Sequence, residues 1–232
     1  MQLRAGRPLL ADSGRPWAGA ALACCAALIA ALGALFAHQA QAGRLDHAVD
    51  SPVISWLGSH QDLAGWLAFP GSLIPAVGLS VAIAVACLLA GRLNGAVLAV
   101  AAVPAATGLN DGLLKPLVHR TYLGVLTYPS GHTATIFALA ATVAVLLLGP
   151  SRPTRGRELR VLIAAAAGVL GGVVAIGVIG LRWHYFTDTV AGAAVGIGTV
   201  CALALLLDVP AARRQFGRAG RLLPTAQPKA RV

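Results

Sequence analysis

Charge is what this chain has least of. Asp, Glu, Lys and Arg together make up 11% of its residues, about half the share of a soluble globular domain. Acidic residues number eight, and only two residues, Lys115 and Lys229, are lysine. So little charge beside 57% hydrophobic residues over 232 positions excludes a water-soluble domain and leaves an integral membrane protein of one domain. The net charge of +10 does not indicate nucleic acid, because the basic residues fall in short connections and termini between apolar runs, where topology signals fall. Cysteine is scarce as well. Cys24, Cys25, Cys87 and Cys201 lie inside apolar runs, without metal-ligand spacing and away from loops where a disulfide would form. They read as small apolar packing residues.

What is present is long apolar sequence. A helix needs about 20 apolar residues to cross a bilayer, and six runs qualify: 17–37, 72–90, 96–114, 132–149, 161–181 and 186–207. The expected domains are a basic cytoplasmic N-terminus over 1–16, a six-span unit over 17–207 and a basic tail from 208 to 232 that reads as disordered. AHQAQAG after the first run has the small residues of a signal cleavage site near Ala42, but the run is long for a signal peptide. Residues 41–69 mix charge, Trp56 and Trp66 with scattered apolar positions. They predict an outer loop with one short amphipathic helix on the membrane surface, His47 and His60 being solvated loop residues. Gly168 and Gly172, and Gly192 and Gly196, are spaced for close helix packing.

An even number of spans puts both termini on one side. That side holds fourteen of the eighteen basic residues, so the positive-inside rule makes it cytoplasmic. The other side receives two polar stretches. One runs from Leu109 to Ala134 and carries Lys115, Arg120, Ser130, Gly131 and His132; the other, LRWHYFTD, carries Arg182, His184 and Asp188. Ionisable groups at a membrane border are costly and mark function by default.

These residue types suit phosphoryl chemistry. His184 and Asp188 are four apart, on one face of a helix, and a carboxylate on one imidazole nitrogen leaves the other as the better nucleophile. Pro129-Ser130-Gly131 turns sharply and opens the fourth span at His132, so backbone N–H groups there favour an anion. Lys115, Arg120 and Arg182 supply positive charge for a phosphoryl transition state. Asp111, four before Lys115, reads as its partner along the helix.

At these residues the chain resembles the type 2 phosphatidic acid phosphatase (PAP2) superfamily of membrane phosphatases. That family's pattern is Lys, six residues, Arg-Pro; then Pro-Ser-Gly-His; then Ser-Arg, five residues, His, three residues, Asp. Pro129-Ser130-Gly131-His132 is complete here, as is the His184 and Asp188 half of the third motif. Tyr122-Leu123 stand where the pattern has Arg-Pro, with Arg120 two positions earlier; Val178 stands where it has the second Arg, with Arg182 one helical turn on. Both arginines read as displaced rather than lost.

The resemblance implies an all-α bundle of six transmembrane helices with its site at the outer helix ends. It implies attack by His184, proton transfer by His132 and orientation of His184 by Asp188, with Lys115, Arg120, Arg182, Ser130 and Gly131 binding phosphate. No metal and no cofactor is expected, and no carboxylate cluster is expected beside the motifs. The implied substrate is a lipid phosphate or diphosphate of the polyprenyl, phosphatidic acid or phosphatidylglycerol phosphate class, in a plasma membrane of bacterial type. Membrane lipids are the partners. Two alternatives are a phosphotransferase on the same scaffold and a lipid-binding or transport protein with a decayed site.

Overall fold

The computed structural model describes residues 8–150 and 156–219, with side chains to 209. Helix dominates, because long alanine- and leucine-rich runs leave the backbone no other way to satisfy its polar groups in lipid. Helix α1 (Arg15–Phe36) starts with Pro16 in its first turn, where a missing N–H costs nothing. Two shorter helices follow, α2 (Arg44–Leu57) and α3 (Gln61–Ala68). A 3-10 turn at Phe69–Gly71 then leads into α4 (Leu73–Leu89). The turn through Gly91, at φ +66°, reverses the chain into α5 (Leu93–Leu109). A π-helical turn, Asn110–Leu114, joins α5 to the short α6 (Lys115–Val118).

A two-residue antiparallel hairpin follows, β1 (Thr121–Tyr122) with β2 (Val125–Leu126), in the register Thr121 to Leu126 and Tyr122 to Val125. Its loop residues, Leu123 and Gly124, both have positive φ, the geometry of a type I′ turn. Then come α7 (Gly131–Leu148), α8 (Arg157–Gly180) and α9 (Phe186–Ala219). The last helix continues past 207, where the sequence predicts the tail to begin. Residues 1–7, 151–155 and 220–232 of the predicted N-terminus, fourth connection and tail lie outside the described residues.

Among the described residues six helical stretches are long and apolar enough to cross a membrane: 12–36, 61–89, 93–118, 131–148, 157–180 and 186–209. The second is longer than the predicted 72–90, because α3 runs into α4 through the 3-10 turn. Residues 41–69 are therefore two helices, not a loop with one. His47 and His60 are exposed, as expected.

Helix α7 is central and packs on α4, α5, α8 and α9. The core it shares is mostly alanine, including its own Ala134 and Ala138 and Ala99 and Ala102 of α5. Small side chains let helix backbones approach where lipid offers no hydrophobic drive to pack. Gly192 and Gly196 carry the closest approach. A Cβ on Gly192 would collide with Thr133 Oγ1 and the Ser130 carbonyl, and one on Gly196 with the Ala134 carbonyl. The other predicted pair behaves differently: Gly168 and Gly172 have nothing within 4 Å, and Gly171 between them packs on Phe137. Rotation about the helix axis decides which residues face inward, and in α8 it turns Gly171 toward α7.

At one end of the bundle the backbone N–H groups of Leu9 and Leu10 donate to Asp208. At the other end α2, the hairpin, the start of α7 and the turn between α8 and α9 meet. There Ser130 N–H donates to the Asp188 carbonyl at 3.0 Å, tying the two polar stretches together.

Candidate active site

A cavity of about 680 Å³ opens at that end, and Lys115, Gly131, His132, Arg182 and His184 are on its wall. Each is placed by a local feature of the chain. The π-helical turn ahead of Lys115 inserts an extra residue, as turns of this kind do at many functional sites. Lys115 Nζ pairs with Asp111 Oδ1 at 2.9 Å, the partnership expected from spacing, and Asp111 also reaches the cavity.

Gly131 and His132 form the first turn of α7, whose N–H groups have no partner within the helix. Ser130 is the N-cap residue. Its side chain is fully buried, off the cavity wall, and its Oγ makes no hydrogen bond. Gly71 closes one side: a Cβ there would stand 2.8 Å from the His132 carbonyl, so only glycine lets the α3–α4 turn pass. The His132 ring packs against Trp183, centroids 5.4 Å apart.

One helical turn of spacing predicts Arg182 on the same helical face as Val178, and the structure does not place it there. Helix α8 ends at Gly180 and Arg182 follows in the left-handed conformation, φ 57°. Trp183 N–H donates to the Val178 carbonyl at 3.0 Å and Arg182 N–H to the Ile179 carbonyl at 2.9 Å. This is a Schellman cap, whose left-handed position normally belongs to glycine. A branched cation held there at a steric cost of about 1 kcal/mol points to a use for its side chain. That side chain is exposed on the cavity wall, while Val178 is wholly buried.

His184 sits on the turn into α9. Its Nδ1 lies 2.9 Å from the Thr127 carbonyl. A carbonyl only accepts, so Nδ1 carries the proton and Nε2 the lone pair. Burial pushes the imidazole down to about 3, helped by the charges of Lys115 and His132, so the ring is neutral. Asp188 does not orient it by a direct bond. Asp188 Oδ1 accepts from Arg120 at 2.6 Å and Oδ2 from Tyr185 N–H at 3.1 Å. The backbone of Thr127 takes the role the sequence gives to Asp188, which holds the turn instead.

Arg120 is the second departure. It is wholly buried and not on the cavity wall. Its guanidinium donates to Asp188, to Thr187 Oγ1 at 2.7 Å and to Asp46 Oδ2 at 2.6 Å. The rings of Phe36 and Tyr185 lie 4.0 and 4.3 Å from its central carbon. Two carboxylates share its charge and it has no exposed surface, so it stands away from the cavity wall, although its Nε makes no hydrogen bond. The expected absence of a carboxylate cluster also fails, since Asp46, Asp50 and Asp188 gather here, all buried. Among the described residues no group of His, Cys, Asp and Glu is arranged to hold a metal ion.

Sequence reasoning missed Asp46 and Asp50. The available signal was their spacing, four apart on an amphipathic stretch, which puts two acids on one helix face at a membrane border.

The model of the PAP2 superfamily matches residues 63–211, a stretch holding the cavity, both histidines and the Schellman-capped arginine. The chain belongs to the PAP2 superfamily. Neither a curated protein nor a solved structure matches it. Membership gives this PAP2 protein phosphatase-type activity on phosphate esters, and its six apolar helices make it an integral membrane protein.

Proposed function

We propose that this PAP2 protein hydrolyses a lipid phosphate or diphosphate through a phosphohistidine on His184, at the outer membrane face. The observation that carries the reading is one cavity wall bearing a neutral His184 with its lone pair on Nε2, together with His132, Lys115, Arg182 and the first turn of α7. Nε2 attacks phosphorus in line and forms the P–N bond as the P–O bond to the lipid breaks. His132 gives its proton to the leaving oxygen. It then takes a proton from water as that water attacks phosphorus, the P–N bond breaks and phosphate leaves. Lys115, Arg182 and the N–H groups at Gly131 and His132 hold the phosphoryl oxygens and balance their growing charge without moving.

A lipid substrate is supported by the apolar rim. Leu73, Leu123 and Val125 line the cavity and are 63%, 81% and 67% exposed, a surface suited to a tail that stays in the bilayer. The outer face is supported by the distribution of basic residues.

The test is phosphate release by the detergent-purified protein from a panel of lipid phosphates in EDTA, comparing wild type with His184→Ala. EDTA-resistant release that the mutant lacks supports the mechanism. Release that needs added divalent metal sinks the metal-free route, and release that appears only with a lipid or sugar acceptor replaces hydrolysis by transfer.

A further inference from the structure

Helix α2 precedes the stretch matched to the PAP2 superfamily, yet it reaches the catalytic turn. The first N–H groups of a helix have no partner within it; here those of Phe186 and Thr187 in α9, and that of Tyr185 just before it, go to carboxylates. Asp188 accepts from Tyr185 N–H at 3.1 Å, Asp50 Oδ1 from Phe186 N–H at 3.1 Å and Asp46 Oδ1 from Thr187 N–H at 2.8 Å. Two of these three caps come from α2, across more than a hundred residues of chain. Asp46 Oδ2 also takes Arg120 and the Gly43 N–H. The turn so capped follows His184 directly. Arg120 clamps it from the other side, and Tyr185, the N-cap residue, lies against Arg120 and stacks on Tyr122 of the cavity wall at 4.5 Å.

We propose that α2 belongs to the catalytic apparatus, with Asp46 and Asp50 as positioning residues that fix His184 by capping the helix after it, Asp46 also holding the Arg120 clamp. The proposal rests on the phosphatase reading for its kinetic readout only. Neither aspartate reaches the cavity wall, so both act through the turn and not on the substrate.

Asp50 also makes the device sensitive to pH. Burial, with Asp46 beside it, pushes Asp50 up to about 7. The charged groups acting on it are Asp46 on its own helix, Asp188 on α9 and Arg120 before β1; α3, which also packs on α2, carries Asp62 in an exposed first turn. When Asp50 ionises, three carboxylates share one guanidinium, and their repulsion loosens the capped turn. His184, held neutral down to about 3, adds no limb near neutrality, and any limb from His132 is common to every variant compared.

The experiment uses full-length protein in detergent with three variants, Asp46→Asn, Asp50→Asn and Arg120→Lys. Asp46→Asn is expected to lower kcat about 100-fold with KM within about threefold, since the turn and not substrate binding is disturbed. Asp50→Asn keeps an acceptor for Phe186 N–H, and is expected to remove the fall in kcat above about pH 7. Should Asp46→Asn not fold, Asp50→Asn and Arg120→Lys carry the test. An Asp50→Asn profile superimposable on wild type, or a folded Asp46→Asn with kcat unchanged, overturns the proposal.

If wild type itself releases no phosphate, the phosphatase reading fails, and the positioning claim is judged by nitrogen-15 NMR of the histidines. A His184 Nδ1–H resonance that moves or vanishes in Asp50→Asn or Arg120→Lys supports it. The same resonance unmoved in both overturns it.

Discussion

Arg120 Nη2 lies 2.6 Å from Asp46 Oδ2, and neither side chain has exposed surface. Asp188 stands equally close to the other terminal nitrogen and is as deeply buried. One cation thus faces two carboxylates in a dry setting, between two aromatic rings. An arrangement of this kind is weak evidence for net stabilisation, because desolvation offsets much of the attraction, but breaking it from one side leaves charge buried without a partner.

Replacing Arg120 by Ala is therefore expected to cost about 3–5 kcal/mol, seen as a large drop in melting temperature in detergent. Replacing Arg182 by Ala is expected to leave the melt nearly unchanged while lowering kcat/KM about 100-fold, since that side chain is exposed on the cavity wall. If Arg120→Ala melts like wild type and loses only substrate affinity, Arg120 binds phosphate after all.

Arg182 also pays a conformational cost that glycine would not. Arg182→Gly is expected to stabilise the fold by up to about 1 kcal/mol, because glycine suits the left-handed cap and its residue bears no Cβ there. The same variant removes the guanidinium from the cavity, so activity and stability are expected to move in opposite directions. Parallel melting curves and phosphate-release assays on wild type, Arg182→Gly and Arg182→Ala check this. A destabilised glycine variant contradicts the strain argument.

The six spans and the meeting of the two polar stretches were legible in the sequence, because apolar length follows from composition and an even number of helices between the two stretches returns the chain to the same end of the bundle. The partners of buried charges were not. Arg120 reads as a phosphate ligand because a sequence cannot show that Asp46, 74 residues away, fills its fork first. Likewise the four-residue spacing of His184 and Asp188 predicts a bond between them, but His184 lies before the helix starts at Phe186, so the two do not share a helical face. The acids of α2 have no assigned role in the sequence, because their partners come from distant segments. Arg182 was recognised as a displaced cation, while its left-handed backbone depends on where α8 stops.

The neutrality of His184 has a measurable consequence. Its folded value, about 3, lies below the ordinary 6.5 or so of an unfolded chain. Between those values the unfolded state takes up a proton that the folded state refuses, so stability falls as pH drops from about 6.5 toward 3. Asp50, pushed up to about 7, has the opposite slope, so the comparison is wild type against His184→Asn, both of which keep Asp50. Wild type is expected to lose up to about 2 kcal/mol more than His184→Asn between pH 7 and 5, read from melting temperatures at the two pH values. Equal losses would mean that the imidazole is protonated in the folded protein.

The start of α7 depends on how closely α9 approaches it. A methyl group on Gly192 would collide with Thr133 Oγ1 and the Ser130 carbonyl, all backbone or short side chain, with no flexible end to yield. Gly192→Ala is expected to push the Pro-Ser-Gly-His turn away from α9, cutting activity at least tenfold and costing about 1–3 kcal/mol as overpacking does. Gly168→Ala is the matched control: nothing lies within 4 Å of its Cβ position, and alanine gains helix propensity over glycine by up to about 1 kcal/mol. Melting curves and phosphate release on the two variants check the contrast. If both substitutions behave alike, the close contact of α7 and α9 at Gly192 does not hold the Pro-Ser-Gly-His turn in place.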